Sequence, residues 1–142
     1  MPRLAGSLAA DAPLVAVVDG QTLRLRENVI RLQGLVAPGR GLACRNASGA
    51  TYDCGAAAAA ALASIVRDHA VICRLDGRDN FGFAQGRCDA AGVDVNRAMV
   101  AAGWARADPA GIASTQASYA PQESRARAEH RGVWRDGGNA SF

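Results

Sequence analysis

The chain contains no lysine: all of its 16 cationic residues are arginine. A lysine Schiff base, lysine general-base chemistry and the lysine-bearing phosphate loop are therefore excluded. Histidine occurs twice and aromatic residues make up 5% of the chain, so neither a histidine-rich metal centre nor a long aromatic stacking platform can be built. No Cys-x-x-Cys is present, which argues against a structural zinc site. No apolar run approaches the roughly 20 residues that span a bilayer. The alanine run 56–61 favours helix and is too short and too weakly apolar to anchor a membrane. A net charge of +3 allows nucleic-acid contact without demanding it. The arginine bias itself fits a GC-rich coding sequence, which also accounts for the many Ala and Gly. Selection for guanidinium forks on phosphate is the competing reading.

What is present describes one globular unit. Its 142 residues, 49% hydrophobic and 20% charged, suffice for a core that hides roughly two-thirds of the unfolded surface. Val15–Val18 runs into Asp19-Gly20, a hairpin signal. Leu23-Arg24-Leu25-Arg26 alternates, with leucines to one face and arginines to the other. Glu27-Asn28 turns the chain into a third strand at Val29–Leu32. Residues 36–53 are rich in Gly, Pro, Asn and Ser and read as a long loop. Asp53 is placed to cap a helix over 54–67. Ala70–Leu75 and Phe81–Cys88 read as paired strands about a turn at 76–80. Asp94 caps a second helix over 95–102, closed by Gly103, and Pro121 opens a third that ends near His130. Three strands, a helix, two strands and two helices predict an α+β fold, mainly β: a five-stranded OB-fold barrel with three helices. The folded unit is expected over 14–135, with tails at 1–13 and 136–142.

The four cysteines are even in number and widely spaced, which suggests two disulfides. If the strands around the turn at 76–80 pair, Cys73 meets Cys88. That bond would close a loop of about 15 residues, worth on the order of 3 kcal/mol in the chain-entropy picture. Cys44 and Cys54 would then tie the long loop to the first helix, although other pairings stay open. Disulfides imply a periplasmic or secreted protein. The N-terminal MPRLAGSLAADAPL lacks the apolar centre of a signal peptide. Either a leader has been removed, or the protein is cytosolic with free thiols.

The order VVDGQTLRL, VIRLQGLVAP, YDCG, DNFGF, DVNRAMVAAGWA and RGVW resembles the staphylococcal nuclease (thermonuclease-like) family over roughly residues 14–135. The cysteines also fall where secreted bacterial members often place two disulfides. The resemblance implies calcium-dependent cleavage of phosphodiesters. That chemistry needs carboxylates for a hard cation, a carboxylate to activate water, and arginines for developing phosphoryl charge. By the family pattern Asp19 and Thr22 are kept, and Arg31 is the one retained catalytic position. The remaining positions are changed: the calcium-binding acid of the first turn is Gln21, the second is Val36, the general base is Gly39 and the second arginine clamp is Phe83. A degenerate, non-catalytic module is therefore expected, with no metal or cofactor, binding single-stranded nucleic acid or another anion. The alternative is a working nuclease that recruits Asp53, Asp76 or Asp79 for metal and Arg78 or Arg87 as clamp.

Arg31 is expected either to pair with an acid such as Asp19 or to hold an anion. Asp19, Arg24, Arg26, Arg40, Arg78 and Arg87 are candidate binding residues around the cleft, with a solvated face as the plainer reading. Val36 and Phe83 either fill core or make the cleft apolar. His69 and His130 fit helix ends, Trp104 and Trp134 the core, Asp79 a turn, and Glu123 with Arg127 an i, i+4 pair. Asn46-Ala47-Ser48 and Asn139-Ala140-Ser141 match the glycosylation sequon by form only. A monomer without membrane association is expected.

Overall fold

A computed structural model describes residues 5–108, 119–137 and 142. The second sequon, at 139–141, and the first residues of the N-terminal tail lie outside the described residues. Among the described residues the fold is mixed α+β, a seven-stranded sheet with three α-helices. The meander is formed by β2 (Val15–Asp19), β3 (Thr22–Leu25) and β4 (Asn28–Leu32), as the period-two pattern predicts. Its inward residues Leu23, Leu25, Ile30 and Leu32 are each no more than 1% exposed and anchor the core. Burial of such a side chain contributes about 1.5–3 kcal/mol. The outward residue Arg24 pairs across to Ala16 on one side and Val29 on the other.

β8 (Val71–Arg78) and β9 (Ala84–Ala90) pair antiparallel, and β9 runs parallel to β4. Cys73 lies opposite Cys88, and the two are bonded. The returning strand starts at Ala84 rather than Phe81, because the Asp79 carboxylate gathers the intervening residues into a loop. A strand that sequence periodicity does not reveal, β1 (Ala5–Ala10), pairs with β8 inside the segment read as a tail. Its Ala, Gly and Ser residues give no hydrophobic alternation. The sheet order is β1-β8-β9-β4-β3-β2, with β10 (Val93–Asp94) on β9. The two outer strands, β1 and β2, are consecutive in the chain and separated only by residues 11–14. Among the described residues no ladder closes the sheet on itself.

The long loop is more ordered than its composition suggests. It holds β5 (Leu35–Val36) and a hairpin of β6 (Ala43–Arg45) and β7 (Thr51–Asp53). Asn46 closes that hairpin: its Oδ1 accepts from the Ser48 and Ala50 amides and the Ser48 hydroxyl. The Cys44–Cys54 disulfide ties it to α1 (Cys54–Val66). Asp53 caps α1, its carboxylate accepting the Ala56 N–H at 2.8 Å. The alanine run lets this helix approach the meander closely. A Cβ on Gly20 would stand 2.6 Å from the Ala58 Cβ, so the β2–β3 turn needs glycine there for space.

Asp94 caps α2 (Val95–Ala101) through the Arg97 N–H. The fully buried Asn96 stitches this helix to the sheet. Its amide donates to Gln33 O and Gly86 O, and its oxygen accepts the Cys88 N–H. α3 (Ala120–Ala128) carries Pro121 in its first turn. Glu123 does more than pair with Arg127 at 3.4 Å: it also accepts the Ala107 N–H of β11 (Arg106–Ala107), which itself pairs with β5. Trp134 is buried, with the Arg127 guanidinium over its ring, and Trp104 packs between the two hydrophobic clusters. His69 and His130 follow α1 and α3 and are exposed.

Candidate functional site

Antiparallel strands put alternate turns at opposite ends. The Gly20-Gln21 turn therefore lies at one end of the meander and the Arg26-Glu27 turn at the other. Hydrogen bonds and one ion pair link the first end to the β5 segment and the 79–83 loop, and these are the segments that the nuclease resemblance singles out.

Gln21 is held at both ends of its amide. Its Nε2 donates to Leu35 O at 2.7 Å and its Oε1 accepts the Ala37 N–H at 3.2 Å. It thus supplies both backbone partners flanking Val36, as a neighbouring strand would. A carboxylate could do only half of this, because it has no donor for Leu35 O. The Gln21 backbone N–H in turn donates to Asp19 Oδ1 at 2.8 Å. Asp19 therefore serves its own turn and is not the partner of Arg31. Val36 is half-buried, and Gly39 is exposed, with open space where a Cβ would sit.

Arg31, which lies across from Thr22, pairs with Asp79: Nε to Oδ2 is 3.2 Å. Its guanidinium carbon also lies 5.7 Å from the centre of the Phe83 ring, within cation–π range. Asp79 does turn work as well, since its Oδ1 accepts the Phe81 and Phe83 amides at 2.9 and 3.0 Å. One carboxylate thus fixes the loop and neutralises Arg31. Phe83 remains 44% exposed and Phe81 80% exposed, so the loop presents two open rings to solvent instead of filling core.

The other candidate arginines divide. Arg40 Nε donates to Val18 O at 2.6 Å and Arg78 to Gly82 O at 3.0 Å. Arg87 faces Tyr119, whose phenol is pushed above its usual range, chiefly by burial and further by Asp94, with Arg87 opposing. Arg24 and Arg26 are not gathered into this end. They lie along a groove at the other end of the meander, with residues 13–16 and Glu27.

These residues do not fit a calcium ion. A hard cation needs several charged oxygens. Here Gln21 is committed to backbone, and Val36 and Gly39 offer no side-chain oxygen; of the two carboxylates at this end, Asp19 accepts the Gln21 N–H and Asp79 is committed to Arg31 and two amides. Among the described residues no group of three His, Cys, Asp or Glu is placed to hold a metal. The acids that could stand in are also engaged: Asp53 caps α1, and Asp76 Oδ2 accepts Gln33 Nε2 at 2.9 Å. Sequence reasoning missed the Arg31–Asp79 pair because the two residues come together only through the parallel β4–β9 pairing. The dual role of Gln21 left no local signal.

No protein-family profile matches the chain. Over 125 residues it is 32% identical to the succinoglycan biosynthesis protein ExoI of Rhizobium meliloti (strain 1021). The match takes in 84% of this chain and 62% of that protein, so the chain spans less than two-thirds of its relative.

Proposed function

We propose that this is a thermonuclease-like domain on an OB-type barrel that binds an anionic ligand, single-stranded nucleic acid among the candidates, and does not cleave it. The observation that carries the reading is the state of Arg31. The one retained catalytic position is neutralised by Asp79 and covered by Phe83, beside positions that offer no metal-binding acid. A guanidinium held in this way stabilises little of the charge that develops on a phosphoryl group. Without a general base at Gly39 the water is not activated either. No calcium or other cofactor is part of the reading.

The barrel assignment is supported by the parallel β4–β9 pair, by α1 between the third and fourth long strands after β1, and by outer strands joined through four residues. The two disulfides favour an oxidising compartment, and we place the protein in the periplasm or outside the cell. A monomer fits this role.

The test is to incubate purified protein with single-stranded DNA, with and without calcium. Intact DNA, with binding that weakens as salt rises, is the expected result. Calcium-dependent cleavage that survives Arg31→Ala would instead mean a nuclease with substitute residues. A second reading draws on the relative, which is named for succinoglycan biosynthesis. The exposed Phe81 and Phe83 rings could stack on sugar as well as on bases. Binding of a soluble polysaccharide in preference to DNA, lost in Phe81→Ala, would favour a role in polysaccharide production.

A further inference from the structure

We infer a second binding site, at the end of the meander away from Arg31, in which Arg24 and Arg26 take the oxyanion of a compact acidic sugar unit. The site is a groove between the chain leading into β2 and the β3–β4 turn, walled by residues 13–16 and rimmed by Arg24, Arg26 and Glu27. It is independent of what the Arg31 cleft binds.

Three observations converge on this groove. The first is unanswered charge. Among the described residues neither guanidinium makes a hydrogen bond or ion pair, and Glu27 makes none, whereas Arg31, Arg40 and Arg78 all have internal partners. Other surface arginines also lack partners, but these two share a concave wall with the half-exposed Leu14. The second is backbone conformation. Arg26 has φ of 58°, a left-handed geometry at a hairpin turn where Gly or Asn is the ordinary occupant. A long cationic side chain is held there against that preference. The third is pre-organisation. The Arg26 N–H donates to Leu14 O at 3.0 Å, which ties the cationic rim to the apolar wall, and Pro13 stiffens the 3-10 turn that forms that wall. A ligand therefore meets a groove whose sides are already joined, which lowers the ordering cost of binding.

The chemistry of the rim selects the class. Two guanidinium groups offer paired N–H donors to a carboxylate or phosphate oxygen pair. Glu27 accepts hydroxyl hydrogens and repels any second anion nearby. Pro13 and Leu14 offer apolar surface to C–H groups. A single acidic group on a hydroxylated ring satisfies all three. A nucleic-acid backbone, with a charge at every phosphate, would meet Glu27 unfavourably.

The experiment titrates glucuronate, glucose, inorganic phosphate and an oligothymidylate into isotope-labelled protein and follows the backbone amides. With glucuronate, the amides of residues 14–16 and 24–27 are expected to shift saturably, with weaker responses to glucose and to phosphate. Arg24→Ala and Arg26→Gly should each weaken glucuronate by about tenfold or more, as expected for loss of a charge-assisted hydrogen bond. Arg26→Gly should at the same time melt no lower than the parent, because glycine accepts the left-handed turn, and so loss of binding cannot be laid to unfolding. No saturable shift at these amides with glucuronate, or phosphate binding as tightly, overturns the proposal. Tighter binding of the oligothymidylate at the same amides overturns it in favour of nucleic acid.

Discussion

The two ends of the meander carry the same residue type in opposite states. At the Gly20-Gln21 end, Arg31 faces Asp79, Arg40 holds Val18 O, Arg78 holds Gly82 O, and Gln21 completes the backbone around Val36. At the Arg26-Glu27 end, the guanidinium groups of Arg24 and Arg26 have no internal partner among the described residues and flank an apolar-walled groove. A charged cleft becomes structural when its own chain supplies the counter-groups. The difference teaches that an arginine's position in a family pattern says less about binding than whether its donors are already answered.

The comparison can be broken most forcefully at Gln21. Gln21→Asp introduces the acid that the nuclease resemblance expects there, but it removes the donor to Leu35 O and sets a carboxylate beside Asp19. Stability should fall by about 1–3 kcal/mol, the cost of an unsatisfied buried group, read as a lower urea midpoint. An unchanged midpoint would mean that the amide is not structural. Next comes Asp79→Asn, which removes the charge facing Arg31 while leaving an oxygen for the loop amides. A loss of about 1 kcal/mol is expected, together with severalfold tighter binding of inorganic phosphate at that end. No gain in phosphate affinity would show that Asp79 does not occupy the place of an anion.

Arg24→Ala lies at the other extreme. A side chain without partners should cost within about 0.5 kcal/mol, and a larger loss would reveal a structural role that the groove reading denies. The smallest effect concerns alkaline pH. Burial raises the Tyr119 phenol above its ordinary value of 10.0, so the folded state holds that proton more tightly than the unfolded chain. Its contribution is fully present below that ordinary value and is lost as pH climbs through the raised one. Tyr119→Phe should flatten this alkaline fall in melting temperature, and an unchanged fall would assign it to another group.

Much of the frame was legible because its signals are local. Leu23 and Leu25 alternate with arginines, Asp53 and Asp94 stand just ahead of helices as caps, and Cys73 and Cys88 become opposite once the turn between them is recognised. Cys73–Cys88 formed as the strand pairing implied, and Cys44–Cys54, which sequence left open among other pairings, is the second bond. β1 escaped notice because Ala, Gly and Ser carry no period, and the β6–β7 hairpin because its turn is organised by a single side chain, Asn46. At the candidate site, sequence showed Gln21, Val36 and Gly39 where the nuclease resemblance expects acids. The contacts these positions make instead were not visible in it. Whether Arg31 pairs with Asp19 or Asp79 depends on which loop the parallel β4–β9 contact brings near, and that is a tertiary fact. The same holds for Asn96, an ordinary polar helix residue in sequence that proves fully buried and triply bonded.

The central proposal is that the Arg31 end of the fold does not hold a divalent cation. Calorimetric titration of calcium into the purified protein tests it most directly. The account predicts only the heat of dilution. A saturable exotherm or endotherm, abolished by Asp19→Asn or Asp79→Asn, would contradict it.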